Sequence, residues 1–268
     1  MEVHFITTGD RFPYVYYLAV MSAIRTQPST NVNIWMSELP HSGYFDRIAN
    51  IAKFGIARRF DLPAITPQPS DDENTTKIRK THLKDLIGWD VLYEYGGVLL
   101  DLDTFCIRSL CDLLGDKEVA TCIWSKQRYG PAMFPFNNAV VVARPRSTVI
   151  KETMDEAVEA LSKPLSPLFL WGCSGPMAFS NAIHKNYHLV NFLQPGTFGR
   201  VDEQMKSEGS SLHEEGGELP EVTRVVHLYG AADKHKHIYS LNGEAIKNSN
   251  TLYARLIKSV LEEKDWHV

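Results

Sequence analysis

Tyr93-Glu94-Tyr95-Gly96-Gly97-Val98-Leu99-Leu100-Asp101-Leu102-Asp103 is the stretch that decides how this chain folds. Val98, Leu99 and Leu100 form the unbroken aliphatic run expected of a buried strand, and the run ends in two carboxylates one residue apart. Along a strand, residues i and i+2 share a face and lie roughly 6.6 Å apart, so Asp101 and Asp103 are expected side by side, placed to share one hard cation. Two like charges without a counter-ion are costly to bury. Either the strand end opens to water or a metal neutralises it.

Working outward, Leu83, Leu86, Ile87, Val91, Leu92 and Tyr95 recur at helical spacing, which predicts a helix over Thr76–Tyr95 stopped by the left-handed Gly96-Gly97 pair. Val3–Thr7 reads as a first strand and Tyr14–Arg25 as a helix opened by Pro13. Asn31–Met36 follows as a strand, Phe45–Phe54 as a helix and Ile56–Phe60 as a third strand. Asn138–Ala143 reads as a further strand, Lys151–Leu161 as a helix, and Thr223–Leu228 as a short late strand. Such alternation defines an α/β fold with a mixed, mainly parallel sheet flanked by helices. Residues 200–222 are polar and rich in Gly, Ser and Glu, a composition expected of a mobile loop. Residues 250–265 are expected to form a terminal helix.

With 268 residues, 44% of them hydrophobic, the chain is expected to form a single domain over 1–268. A net charge of −4 provides no global basic field, so nucleic acid is not an expected partner. No apolar run reaches the length of a membrane span, and Met1-Glu2-Val3-His4 has no leader character, so a cytoplasmic location is expected. Cys106, Cys111, Cys122 and Cys173 lack metal-type spacing and read as buried free thiols.

A helix, a Gly-Gly turn and a strand ending in Asp-x-Asp place a site at the carboxyl edge of a sheet, where α/β folds take their ligands. One or two carboxylates together with substrate phosphates are the usual seat of Mg²⁺ or Mn²⁺.

The segment from Lys84 to Asp103 resembles the DXD sugar-binding region of glycosyltransferase family 32. That resemblance implies a GT-A fold and transfer of sugar from a nucleoside diphosphate sugar, UDP- or GDP-linked, to a glycan or other glycoconjugate hydroxyl. It also implies a divalent metal, usually Mn²⁺ and otherwise Mg²⁺, and retention of anomeric configuration. Asn137-Asn138-Ala139-Val140 looks like the family's Asn-led strand, and Ser174-Gly175-Pro176 like its Gly-Pro element. His227-Leu228-Tyr229-Gly230, with Lys234 beyond, is similar to a late segment of family 8 enzymes.

By that resemblance Asp101, Asp103 and His227 are metal ligands, and Gly230 and Lys234 face the diphosphate. Asp85 contacts the donor sugar, Asn138 lies at the catalytic edge, and Thr7, Thr8 and Gly9 seat the nucleotide. One departure stands out: Gly88 occupies the place of an arginine that helps hold the donor sugar in the family.

Other readings of the same residues stay open. Asp85 could be a surface charge paired with Arg79 or Lys80, and His227 a structural histidine. Trp171 could be core or a sugar-stacking ring, and His235 and His237, alternating with Lys234 and Lys236, a solvated basic surface. An aliphatic run followed by Asp-x-Asp also opens haloacid-dehalogenase-type phosphatases, where the first Asp is a nucleophile. A third alternative is a non-catalytic nucleotide-sugar or glycan-binding domain.

Overall fold

Alternation along the aliphatic strands sorts the core into two layers. Val98 and Leu100 join Val3, Phe5, Ile34, Val140 and Val142 on one side of the main sheet, whereas Leu99 and Val141 join Leu86, Trp89 and Phe179 on the other. The computed structural model describes residues 1–56, 65, 69–123, 128–129, 132–133, 135–163, 172–200, 212, 215–228 and 238–268.

The strands are β1 (Glu2–Thr7), β2 (Asn31–Met36), β3 (Lys53–Ile56), β4 (Gly97–Leu100), β5 (Thr104–Cys106) and β6 (Val119–Cys122). They continue with β7 (Arg128–Tyr129), β8 (Ala132–Met133), β9 (Val140–Ala143), β10 (Val190–Leu193), β11 (Phe198–Arg200) and β12 (Val225–His227). Seven of them form the main sheet in the order β10-β6-β9-β4-β1-β2-β3. Within it β9 runs antiparallel to both neighbours and the other pairings are parallel. A small sheet, β11-β12-β5, stands beside it, and β7 and β8 form a short hairpin.

Helix α1 (Tyr14–Thr26) covers one face. Helix α2 (Gly43–Ile48) is a short segment capped by the Ser42 side chain. Helix α3 (Glu73–Tyr95) runs against the other face, opened by the Asp72 carboxylate accepting from the Thr75 amide at 2.7 Å. Helices α4 (Thr148–Leu161) and α5 (Ala178–Lys185) pack beside α3. Toward the end of the chain come α6 (Gly243–Lys247), α7 (Leu252–Val260) and α8 (Glu263–Trp266).

Gly96 and Gly97 do what their position predicts. Both have positive φ, 63° and 98°, and both sit hard against other backbone. A Cβ on Gly97 would lie 2.2 Å from the Glu2 carbonyl oxygen, and one on Gly96 2.4 Å from the Pro145 nitrogen. The pair reverses α3 into β4 with no room for a side chain.

Two predicted elements are corrected. The helix expected over Phe45–Phe54 ends at Ile48, because the chain turns and enters β3 at Lys53 to hydrogen-bond the open edge of β2. The strand expected at Ile56–Phe60 is therefore shifted earlier, and 57–60 lie outside the described residues. The terminal helix breaks at Leu261, and α8 restarts with Glu262 and Asp265 capping each other; Arg25 of α1 anchors Asp265 at 2.7 Å. Of the four thiols, Cys106, Cys122 and Cys173 are buried as expected, but Cys111 is exposed. Leu212 and Glu215, within the span expected to be mobile, contact the α7 region: the Leu212 carbonyl accepts from the Tyr253 amide at 2.9 Å, and Glu215 bridges Thr251.

Candidate active site at the carboxyl edge of the sheet

Strand β4 stops at Leu100, so Asp101 and Asp103 are not carried on a pleat. A turn carries them instead. The Asp101 carbonyl accepts from the Thr104 amide at 3.0 Å and from the Thr104 hydroxyl at 2.7 Å, while the Asp101 amide donates to the Ala139 carbonyl at 2.9 Å. The expectation that strand alternation brings the carboxylates together is thus corrected in its cause. The convergence itself holds, because the turn folds both back to the same place.

That turn joins the two sheets. Thr104 opens β5, whose antiparallel partner β12 sets His227 opposite Thr104, and the Leu228 amide donates to the Asp103 carbonyl at 2.8 Å. His227 Nε2 lies 3.1 Å from Asp103 Oδ1. One ligand atom from each of Asp101, Asp103 and His227 falls within 4.8 Å of the others. Two carboxylates and an imidazole are an oxygen-rich, borderline donor set that suits Mn²⁺ and accommodates Mg²⁺. Burial pulls the His227 imidazole pKa down, but the charge of Asp103 and its hydrogen bond outweigh it, leaving a net rise.

The charge problem posed by the sequence has a solution that the motif did not reveal. Lys84 on α3 reaches Asp101 Oδ1 at 2.6 Å. An ammonium, rather than water alone, neutralises the first carboxylate.

Behind this turn lies a second acidic centre. Asp85 is buried, with 4% of its surface exposed. Its Oδ1 accepts from Asn138 Nδ2 and its Oδ2 from Ser174 Oγ, each at 2.8 Å. Because the Ser174 hydroxyl hydrogen goes to Asp85, the 2.7 Å contact between His82 Nδ1 and Ser174 Oγ has the imidazole as donor. The Ser174 carbonyl in turn accepts from Trp89 Nε1 at 2.8 Å. Gly175 lets this loop approach, since a Cβ there would sit 2.7 Å from Asp85 Oδ2.

Burial raises the Asp85 pKa, and although Lys84, Ser174 and Asn138 pull it back, the carboxyl is pushed up to about 6. The surface-charge reading of Asp85 is overturned: Arg79 pairs with Asp71 and Lys80 with Glu38.

Asn138 lies two residues before β9, whose antiparallel direction brings its start to the edge where β1 and β4 end. Thr7, Thr8 and Gly9 leave β1 at that same edge, with the Thr8 hydroxyl donating to the Lys80 carbonyl of α3 at 3.3 Å. Gly230, Lys234, Trp171, His235, His237 and Lys236 lie outside the described residues.

Sequence reasoning missed Lys84, His82 and the phenols of Tyr16 and Tyr239. Those two rings meet edge to face at 6.0 Å. Burial and the charge of Asp103 push the Tyr16 hydroxyl up to about 12. Burial likewise raises Tyr239, with Tyr16, Asp103 and Asp101 adding to it. A separate concavity of about 580 Å³ lies at the opposite edge, lined by Met1, Tyr95, Cys111 and Arg144 among others, and has none of these groups.

Residues 15–120 match the family model described as "Glycosyltransferase sugar-binding region containing DXD motif". Among solved structures, the chain is similar to the galactosyltransferase LgtC in complex with donor and acceptor sugar analogs, at 15% identity and TM-score 0.52, over 98% of this chain and 97% of that one. It is also similar to the glycosyltransferase GlyE of Streptococcus pneumoniae TIGR4, at 12% identity and TM-score 0.50, over 100% of this chain and 64% of that one. No curated protein matches in sequence.

Residues 15–120 match a DXD-type glycosyltransferase region, and the fold is that of GT-A glycosyltransferases such as LgtC. The chain is an enzyme of that class, and its DXD is Asp101-Leu102-Asp103. The phosphatase and non-catalytic readings are set aside. No helix among the described residues is long and apolar enough to cross a membrane.

Proposed function

We propose that this chain moves a sugar from a nucleoside diphosphate sugar, UDP- or GDP-linked, to a hydroxyl of a glycan or other glycoconjugate, with retention of configuration. A divalent cation, Mn²⁺ or Mg²⁺, would be held by Asp101, Asp103 and His227. The observation that carries this reading is the meeting of those three side chains within 4.8 Å at the carboxyl edge of the sheet. Such a cation supplies positive charge for the diphosphate as it departs.

The protein's own groups do the rest. The turn between β4 and β5 fixes the two carboxylates, and the ladder between β5 and β12 fixes the imidazole, so the donor set is organised before ligand arrives. Asp85 holds the Asn138 amide and, through Ser174, the Gly175 loop, giving the donor sugar a floor of fixed polar groups. Thr7, Thr8 and Gly9 are assigned to the nucleotide, and Gly230 and Lys234 to the diphosphate, on the family resemblance. No ionised nucleophile is needed, because the site activates the leaving group.

The test is Asp103→Asn. Donor hydrolysis and transfer measured with Mn²⁺ should fall by about two orders of magnitude or more, in line with loss of an electrostatic contributor to the transition state. Undiminished Mn²⁺-dependent turnover rules the assignment out. Titration calorimetry with UDP and GDP, with and without Mn²⁺, identifies the nucleotide.

A further inference from the structure

Helix α3 and strand β4 run antiparallel, joined by Gly96-Gly97, and their residues pair off along the way. Four helical residues advance about 6.0 Å and two strand residues about 6.6 Å, so each turn of α3 matches one same-face step of β4. Gly88 stands over Leu99: a Cβ on Gly88 would lie 2.8 Å from Leu99 Cδ2. One turn earlier, Lys84 reaches Asp101, the first residue past the end of β4, at 2.6 Å.

A side chain at position 88 would have to displace the terminal methyl of Leu99, and the cationic group on this stripe is found one turn nearer the site. The ammonium occupies an oxygen of a carboxylate that belongs to the three-residue cluster. Lys84 and Asp101 both retain partial solvent access, 28% and 20% of their side-chain surface, so the lysine has somewhere to go.

We propose that Lys84 is a donor-site residue with two positions: it holds Asp101 until a divalent cation claims that carboxylate, and it then pairs with the diphosphate of the donor. This rests on the reading of Asp101, Asp103 and His227 as cation ligands. In the free protein the lysine competes with the cation. In the ternary complex it adds a charge that the glycine at 88 cannot supply. Cation and nucleotide therefore reinforce each other's binding, because the group displaced by the first becomes a contact of the second.

The experiment is calorimetric and needs no turnover. Mn²⁺ is titrated into wild type, Lys84→Met and Lys84→Arg without nucleotide, and UDP and GDP are then titrated at saturating Mn²⁺. Lys84→Met keeps the aliphatic stem and removes the competitor, so Mn²⁺ alone should bind about tenfold more tightly. The better of the two nucleotides should bind at least tenfold more weakly at saturating Mn²⁺. Lys84→Arg keeps the charge and should stay within about threefold of wild type in both, which separates lost charge from a damaged fold.

Unchanged Mn²⁺ affinity in Lys84→Met, or unchanged nucleotide affinity, overturns the proposal while leaving the cation site standing. If neither wild type nor Lys84→Met takes up Mn²⁺ with or without nucleotide, the cation site itself falls and this inference with it. Asp103→Asn, titrated alongside, shows that any Mn²⁺ heat comes from the cluster.

Discussion

Asp85→Asn should make the protein more stable relative to wild type as the pH rises. In the fold the Asp85 carboxyl is pushed from 3.8 up to about 6, burial outweighing the donors that serve it. A carboxyl with a raised folded pKa binds its proton more tightly in the native state than in the unfolded chain. Native stability then declines as pH climbs from the unfolded value through the folded one, and levels off above it.

Linkage with those two values puts the cost of keeping Asp85 at about 1 kcal/mol at about pH 4.5 and about 3 kcal/mol at about pH 7.5. Asparagine does not titrate. The Asn138 amide can turn to present its oxygen, so any offset from rearranged hydrogen bonds is common to both conditions. The gap between variant and wild type should therefore move by about 2 kcal/mol in the variant's favour between the two pH values. Urea unfolding at each pH, with m held common, measures it. A gap that stays constant to within about 0.5 kcal/mol refutes the argument that Asp85 is retained against the stability of the fold. Donor hydrolysis by the same variant should drop, since the carboxylate that fixes Asn138 and Ser174 is lost.

Other outcomes follow from the same geometry. Gly97→Ala places a methyl 2.2 Å from the Glu2 carbonyl at φ 98°. It should cost about 2–5 kcal/mol, the sum of left-handed strain and overpacking, read as a fall in the urea midpoint. A thiol reagent should label one cysteine quickly in the native protein, Cys111, and all four in denaturant. A Cys111→Ser variant that still shows a fast-labelling thiol would contradict the burial of the other three.

Much of the main sheet could be read from period and punctuation. The aliphatic run at 98–100, the glycine pair before it and the 3.6-residue spacing from Leu83 to Tyr95 are local signals, and α3 and β4 follow them. Where a tertiary partner decided the outcome, the sequence misled. Lys53–Ile56 is drawn into β3 by the edge of β2, and the Asp-x-Asp pair meets through a turn anchored on Ala139 rather than through a pleat.

The acidic cluster was legible because its two carboxylates are neighbours in sequence. The groups that tune the site were not. Lys84 reaches Asp101 across 17 positions, and Ser174 reaches Asp85 across 89. Only the helix-to-strand reversal and the packing of the Ser174 loop bring them together. The Gly88 departure from the family pattern pointed to this helix face, but only the Leu99 contact shows what fills the space.

His227 reaches the site from 124 positions beyond Asp103. A chain emerging from the ribosome as far as Ala143 already contains six of the seven strands of the main sheet and both carboxylates of the turn, and has no imidazole beside them. His227 is therefore synthesised after both carboxylates and most of the main sheet. The three side chains that meet within 4.8 Å are all present only once the last third of the polypeptide has been made.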